Sequence, residues 1–371
     1  MARVLDIIEL MENVAPAALA EDWDNPGLQV GWPDAEVRHV FVALDPSLAV
    51  VSAACAAGAD MLICHHPLIF SSIKKFDFTT PAGRIIEKAV LSGLSIFAAH
   101  TNLDSVSGGL NDLLAGIIGV FKTRPLMPGQ SEQEYKLVFF VPESHTDIMI
   151  SELTALPTGI IGNYRGCFFS VAGTGRFIPH EGAHPYSGHV GEASQVPEFR
   201  VETRVCGRHL KEVMDKIQDI HPYETVAIDV YPVLSGKTRH GIGRVGRLPA
   251  PIDLAGLARK IKTSLRLKSV RVSGPQDLNV SHVALCTGSG SSLLKSFFSS
   301  NAQVFISGDL KYHDAMDVMA RGRALIDVGH FASEHIIVSE LKKRLEHEAV
   351  ESRLDVRFTA WDGEADPFYS L

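Results

Sequence analysis

The chain is poor in cysteine, with five in 371 residues: Cys55, Cys64, Cys167, Cys206 and Cys286. None forms a Cys-x-x-Cys pair and most sit in apolar runs, which excludes a disulfide framework and a thiolate zinc site and fits a reducing compartment. No apolar run is long enough to cross a bilayer. The start, Met1-Ala2-Arg3-Val4-Leu5-Asp6, lacks the basic cluster and apolar stretch of a signal peptide, so a cytoplasmic location is expected. Positive charge is also short: 35 Lys and Arg against 43 Asp and Glu give a net charge of -8. That balance argues against a general nucleic-acid binder, whose footprint is basic.

What is present is an ordinary globular composition, with 46% hydrophobic residues, and a length that suggests about two or three domains. Three apolar runs end in metal-ligand residues. Met61-Leu62-Ile63-Cys64 leads into His65-His66-Pro67. Ser95-Ile96-Phe97-Ala98-Ala99 leads into His100-Thr101-Asn102-Leu103-Asp104. The third ends Asp327-Val328-Gly329-His330 and is followed by Glu334. The pattern predicts strands delivering ligands to one edge of a sheet, beyond the carboxyl ends of the strands.

The surrounding pattern is α/β. An amphipathic helix is expected over Val4 to Val14, then a turn at Asn25-Pro26-Gly27. Strands over Val37–Leu44, Met61–Cys64 and Leu94–Ala99 alternate with helices over Pro46–Ala57, Pro81–Leu91 and Leu110–Ile118, which implies βαβ units. The pattern changes near Pro125-Leu126-Met127-Pro128-Gly129. Strand, helix, strand, a loop from Gly173 to Pro197, then strand, helix, strand gives the ferredoxin-like order. The β/α pattern resumes near Gly241. The fold expected is a two-lobed mixed α/β domain of βα units, residues 1–125 and 236–371, interrupted by an inserted α+β domain at 126–235.

His65 and His66 are adjacent, so along a strand they would face opposite ways. At a strand end before Pro67 the backbone can turn both into one site; alternatively each serves a different ion. Glu334 follows His330 by four positions, one face of a helix, where a carboxylate can bridge two ions. The set His65, His66, Asp104, His330 and Glu334 is imidazole plus carboxylate. It suits zinc, iron(II), manganese, cobalt or nickel, and five ligands over two ions leave positions for water. The competing reading is structural: histidines bonding carbonyls at strand ends, and Glu334 favoured by the dipole of a first helical turn.

Secondary candidates are fewer. His313, after Ser307-Gly308-Asp309, is a candidate proton donor with Asp309 to orient it, or simply an exposed residue at a helix start. Cys286-Thr287-Gly288-Ser289-Gly290 reads as a Gly-rich turn that either holds an anion or closes a strand–helix corner, and it is not a Walker sequence. Arg259, Lys260, Lys262, Arg266, Lys268 and Arg271 form a basic stretch that reads as a solvated face. Trp23, Asp24 and Asn25 are candidates for the rim of the site.

Taken together, Asp24-Asn25-Pro26-Gly27-Leu28-Gln29-Val30-Gly31, Cys64-His65-His66-Pro67, His100-Thr101-Asn102-Leu103-Asp104, Ser307-Gly308-Asp309 through His313, and Gly329-His330-Phe331-Ala332-Ser333-Glu334 resemble the Nif-three-like family. The family is also labelled GTP cyclohydrolase 1 type 2 homologue. The resemblance spans nearly the whole chain. It implies a dinuclear centre in which His66 and Asp104 hold one ion, His65 and His330 the other, and Glu334 bridges. It also implies a PII/CutA-like insert and a toroidal homohexamer. The label implies water attack at the guanine C8 of GTP with formate release, Glu334 at the reacting centre and His313 in proton transfer. The expected function is therefore a dinuclear-metal hydrolase acting on a nucleotide or another phosphate-containing metabolite. The alternative is a metal- and small-molecule-binding regulatory or interaction protein without turnover.

Overall fold

In the computed structural model, residues 1–129, 133–162, 164–234 and 240–369 are described. The strands His39–Ala43, Met61–Cys64 and Ser95–Ala98 are buried at every position. Such unbroken apolar runs belong to a parallel sheet covered on both faces. Their sheet runs in the order Arg357–Ala360, His39–Ala43, Met61–Cys64, Ser95–Ala98, Gly27–Val30; the first four are parallel and the last is antiparallel. One face packs on helices Val4–Val14 and Ile336–Glu351 through Ile7, Leu10, Met11, Val338 and Leu341. The other face carries helices Leu48–Ala56 and Pro81–Leu91. Both of these start on a hydroxyl cap, Ser47 and Thr80, and the second has Pro81 in its first turn, where its missing N–H costs nothing.

A second sheet in the same unit runs Arg271–Ser273, Ala324–Asp327, Val304–Gly308, Asn279–Ser289, Gly241–Asp253, Phe121–Pro128, with a parallel centre and antiparallel flanks. The three ligand-bearing runs therefore do not share one sheet. Met61–Cys64 and Ser95–Ala98 end in the first, and Ala324–Asp327 in the second. The strands Phe121–Pro128 and Gly241–Asp253 escape a reading by pattern because they carry Gly, Pro and charge. The first tolerates Pro125 and Pro128 as an edge strand, and the second breaks register between Arg247 and Ile252, where Pro249 and Pro251 lie.

The chain divides into two compact units, Met1–Gln130 with Thr238–Leu371, and Ser131–Lys237. The second unit has the order strand Glu134–Pro142, helix Thr146–Thr154, strands Phe168–Phe177 and Ser194–Cys206, helix Gly207–Ile220, strand Ile228–Val233. Its antiparallel sheet places the last strand beside the first and the third between the first and second, the ferredoxin-like arrangement. Leu137, Phe139, Met149, Val201, Val213 and Ile217 make its core. Both ends of the stretch expected as a loop from Gly173 to Pro197 are strand, since Gly173–Phe177 pair with Glu198–Ser194. That edge strand is largely exposed, and its second half, Gly173-Thr174-Gly175-Arg176, has no apolar residue to alternate. No helix among the described residues is long and apolar enough to cross a membrane.

One buried cation joins the two halves of the larger unit. Arg244 is 1% exposed. Its Nε and Nη2 donate to both oxygens of Asp112 at 2.8 Å, its Nη1 to Gly241 O and Gly243 O, and its Nη2 also to Val106 O at 2.8 Å. Breaking such a pair by removing one partner leaves the other buried and uncompensated. Arg244→Met is therefore expected to lower unfolding free energy by about 3–5 kcal/mol, read by chemical denaturation. Burial would raise the Asp112 carboxyl, but Arg244, Gly108 N–H and Thr123 hold it below its usual range. Its stabilisation is thus full above the unfolded value of about 3.9 and is lost as pH falls through the lower folded value. In the Met variant the acid limb of stability against pH should be shallower.

Candidate metal centre

The first puzzle is how two adjacent histidines enter one site. Past Cys64 the strand bends so that both His65 N–H and His66 N–H donate to the same carbonyl, Leu44 O, at 3.1 and 3.0 Å. With both amides turned to one acceptor, the rings lie on one side, their centroids 5.0 Å apart. His100 follows the next strand and precedes the short helix Thr101–Ser105, which carries Asp104. His100 stands 5.2 Å from His65 and 5.6 Å from His66, ring to ring. From the second sheet come His330 and Glu334 on the helix His330–Glu334. His330 lies 5.4 Å from His66.

Each imidazole is oriented by its Nδ1, facing a group that can only accept. His65 Nδ1 donates to Ala99 O (2.8 Å), His66 to Asp45 (2.7 Å), His100 to Asp24 (2.8 Å) and His330 to Asp309 (2.8 Å). That leaves each Nε2 as the lone-pair nitrogen when the ring is neutral. Three carboxylates and one carbonyl behind four imidazoles is the outer-shell pattern of metal-ligating histidines. The orienting groups are themselves fixed. Asp24 accepts from Thr101 N–H and Oγ1. The backbone N–H groups of Leu44 and Asp45 donate to Glu364 at 2.8 and 2.9 Å.

Glu334 stands at the middle. Its Oε2 is 3.0 Å from His66 Nε2 and 2.9 Å from His330 Nε2, and its Oε1 is 3.8 Å from His65 Nε2. Asp104 Oδ2 is 3.9 Å from the same His65 nitrogen. His65 Nε2 is buried without a hydrogen-bond partner. A lone pair and two carboxylate oxygens thus face each other across distances too long for a hydrogen bond, with no donor between them. A cation satisfies all three, so the residues present fit a metal. His65, His66 and His100 form one set with ligand atoms within 4.8 Å of one another, and His66, His330 and Glu334 form another. The distances put His65 beside Asp104 and His66 beside His330, whereas the resemblance pairs His66 with Asp104 and His65 with His330. Glu334 lies between in both.

Proton affinities follow the same geometry. Burial, aided by the neighbouring His66 and His100, outweighs the pull of Glu334 and takes His65 down to about 3. Burial opposes charge on His66, yet Asp45 and Glu334 raise it to about 10. Contact with Glu334 and then Asp309 raises His330 to about 9 against burial. Glu334 is held well below the usual carboxylate range by His330 and His66, in spite of its burial. Burial and the nearby Glu334 raise Asp104 to about 7.

Cys286-Thr287-Gly288, expected as part of a Gly-rich turn, lies in the strand Asn279–Ser289 and serves the centre directly. Thr287 Oγ1 donates to Asp104 Oδ1 at 3.0 Å, and Thr287 N–H to Asn111 Oδ1. Gly288 has φ +60°, and a Cβ there would overlap Glu334 Oε1. Gly308 is required for a similar reason: a Cβ would lie 2.6 Å from His330 N. Asp309 orients His330, not His313 as the sequence suggested. His313 is exposed on the helix Tyr312–Met319, edge-on to Tyr312, and takes no part in the ion pairs of the cluster. Sequence reading left His100, Asp24 and Asp45 out of the ligand set and its supports. His100 has a signal, being the first residue past an apolar run as His65 is; Asp24, a candidate for the rim, is 76 residues from the imidazole it orients, and Asp45, 21 residues from its partner, has no signal.

Against known proteins, the family model described as Duf34/NIF3 (NGG1p interacting factor 3) matches residues 2–367. A protein of Halalkalibacterium halodurans named GTP cyclohydrolase 1 type 2 homolog is 35% identical over 362 residues, 98% of this chain and 97% of that one. One of the same name from Bacillus subtilis is 36% identical, covering 98% of each. The crystal structure of a Bacillus cereus protein related to NIF3 superposes with a TM-score of 0.91 at 36% identity, over 100% of this chain and 99% of that one.

Asp309→Asn keeps the shape of the partner of His330 but weakens its hold on the ring. It should cost about 10–100-fold in metal affinity, as outer-shell changes do. Titration of chelator-treated protein with zinc, followed by calorimetry, measures this. His65→Ala should remove bound metal as read by elemental analysis.

Proposed function

The chain belongs to the Duf34/NIF3 family, and on that premise we propose that it is a dinuclear-metal-dependent hydrolase acting on a nucleotide or another phosphate-containing metabolite. GTP cyclohydrolase activity is the version suggested by the names of its relatives. The observation that carries the reading is Glu334, with one oxygen toward His65 and the other between His66 and His330. A pair of zinc, iron(II), manganese, cobalt or nickel ions bound there would supply Lewis acidity to a substrate oxygen and to water.

The chain's own residues fix the rest. Asp24, Asp45 and Asp309 keep the imidazoles aimed inward, and Glu334 and Asp104 supply the negative charge. A cleft of about 1570 Å³ opens onto His66 and His330. Arg266, Lys268, Arg271 and Lys343 line it. Arg271 is bound to Asp327, while Arg266, Lys268 and Lys343 are engaged by no carboxylate among the described residues. Asp45, Asp309, Asp327, Glu340, Asp362 and Asp366 line the same cleft, so cations that can meet an anionic substrate stand there among carboxylates. Proton transfer by His313 belongs to this reading only through the family resemblance, since His313 lines neither the cluster nor the cleft among the described residues. A homohexamer is part of the same reading.

A second reading, a metal- and ligand-binding regulatory protein, draws on the unit Ser131–Lys237, which supplies none of the residues of the centre. The test is Glu334→Gln in a turnover screen of GTP and phosphate esters with each metal. Bound metal and kcat should fall together, kcat by about 100-fold or more, since even outer-shell changes cost 10–100-fold. A metal-loaded wild type that binds nucleotide yet converts nothing would favour the regulatory reading.

A further inference from the structure

Two large aromatic side chains beside the centre lie open to solvent. Trp23 is 57% exposed and Phe70 is 54% exposed. Both border His100, Trp23 at 6.1 Å and Phe70 at 6.5 Å between ring centroids, and they lie 5.8 Å from each other. Their neighbours in sequence are anchored. Asp24, whose side chain is fully buried, is bound to His100 and Thr101. Ile69 N–H donates to Gln29 Oε1, Asn25 Nδ2 donates to Ile69 O at 2.6 Å, and Gln29 Nε2 donates to Asn25 O. The fold thus spends a hydrogen-bond network on holding two loops that each present an apolar ring to water. An exposed apolar patch of this kind marks a binding surface. A mere packing role would have buried the rings.

We propose that Trp23 and Phe70 are a stacking platform for a planar heteroaromatic ring of the ligand, and so set its specificity. The occupant is argued from position: both rings touch the imidazole of His100, whose nitrogen converges with those of His65 and His66. The two rings are inclined at 49° to each other, so a flat ring stacked on one meets the other obliquely, beside His100. Base–aromatic stacking is worth about 1–3 kcal/mol by alanine substitution and needs no particular base. The inference rests on the reading above, in that the ligand binds at this centre, but it concerns recognition and not turnover.

The test is calorimetric binding of guanosine 5′-monophosphate and of ribose 5-phosphate to the zinc-loaded full chain. The wild type should prefer the base-bearing ligand by about tenfold. Trp23→Ala and Phe70→Ala should each erase most of that preference while leaving ribose 5-phosphate affinity and metal content unchanged, and Trp23→Phe should retain it. Equal binding of both ligands by the wild type, equal loss of both in the alanine variants, or no loss of either would overturn the proposal. So would a drop in particle mass on Trp23→Ala, which would assign the rings to a contact between copies. Failure of the hydrolase reading looks different: selective binding intact, with no product from any substrate.

Discussion

One carboxylate organises this molecule. Glu334 is buried, charged, and faced by imidazoles on both of its oxygens. A buried anion is costly unless it is paired. Its partners come from two sheets and from stretches more than 200 residues apart, so the pairing also fixes how the two lobes of the larger unit meet. The nearby glycines follow from it. Gly288 leaves room for the carboxylate, and Gly308 lets the strand end approach the helix that carries it.

Around that carboxylate the chain keeps a consistent division of labour. Nδ1 atoms face outward to fixed acceptors, and the remaining nitrogens face inward. Asp24 is in turn held by the amide and hydroxyl of Thr101, and the backbone of Asp45 by donation to Glu364. Such layering restricts ring rotation and fixes which nitrogen holds the proton. Arg244 has the corresponding role in the scaffold, binding the strand Gly241–Asp253 to the turn that follows Asp104.

Much of this was legible in the sequence because it depends on local pattern. Strands such as Met61–Cys64 announce themselves as apolar runs, and histidines at their ends are visible without coordinates. What the pattern hid was relation. Three similar runs suggested one sheet, yet hydrogen-bond registers place the third in another. Strands rich in Gly and Pro, Phe121–Pro128 and Gly241–Asp253, obey edge and bulge chemistry that has no period. Carboxylates that orient the histidines look like any surface Asp until the fold brings them close. Asp309 stands nearer in sequence to His313, yet the fold turns it to His330.

The first sheet closes with Arg357–Ala360 laid beside His39–Ala43, so a late strand among the described residues pairs with an early one. Glu334 and His330 likewise emerge long after His65 and His66. A nascent chain therefore carries His65 and His66 well before it gains the residues that face them. The cluster thus depends on contacts of very large sequence separation, the kind that close slowly in folding.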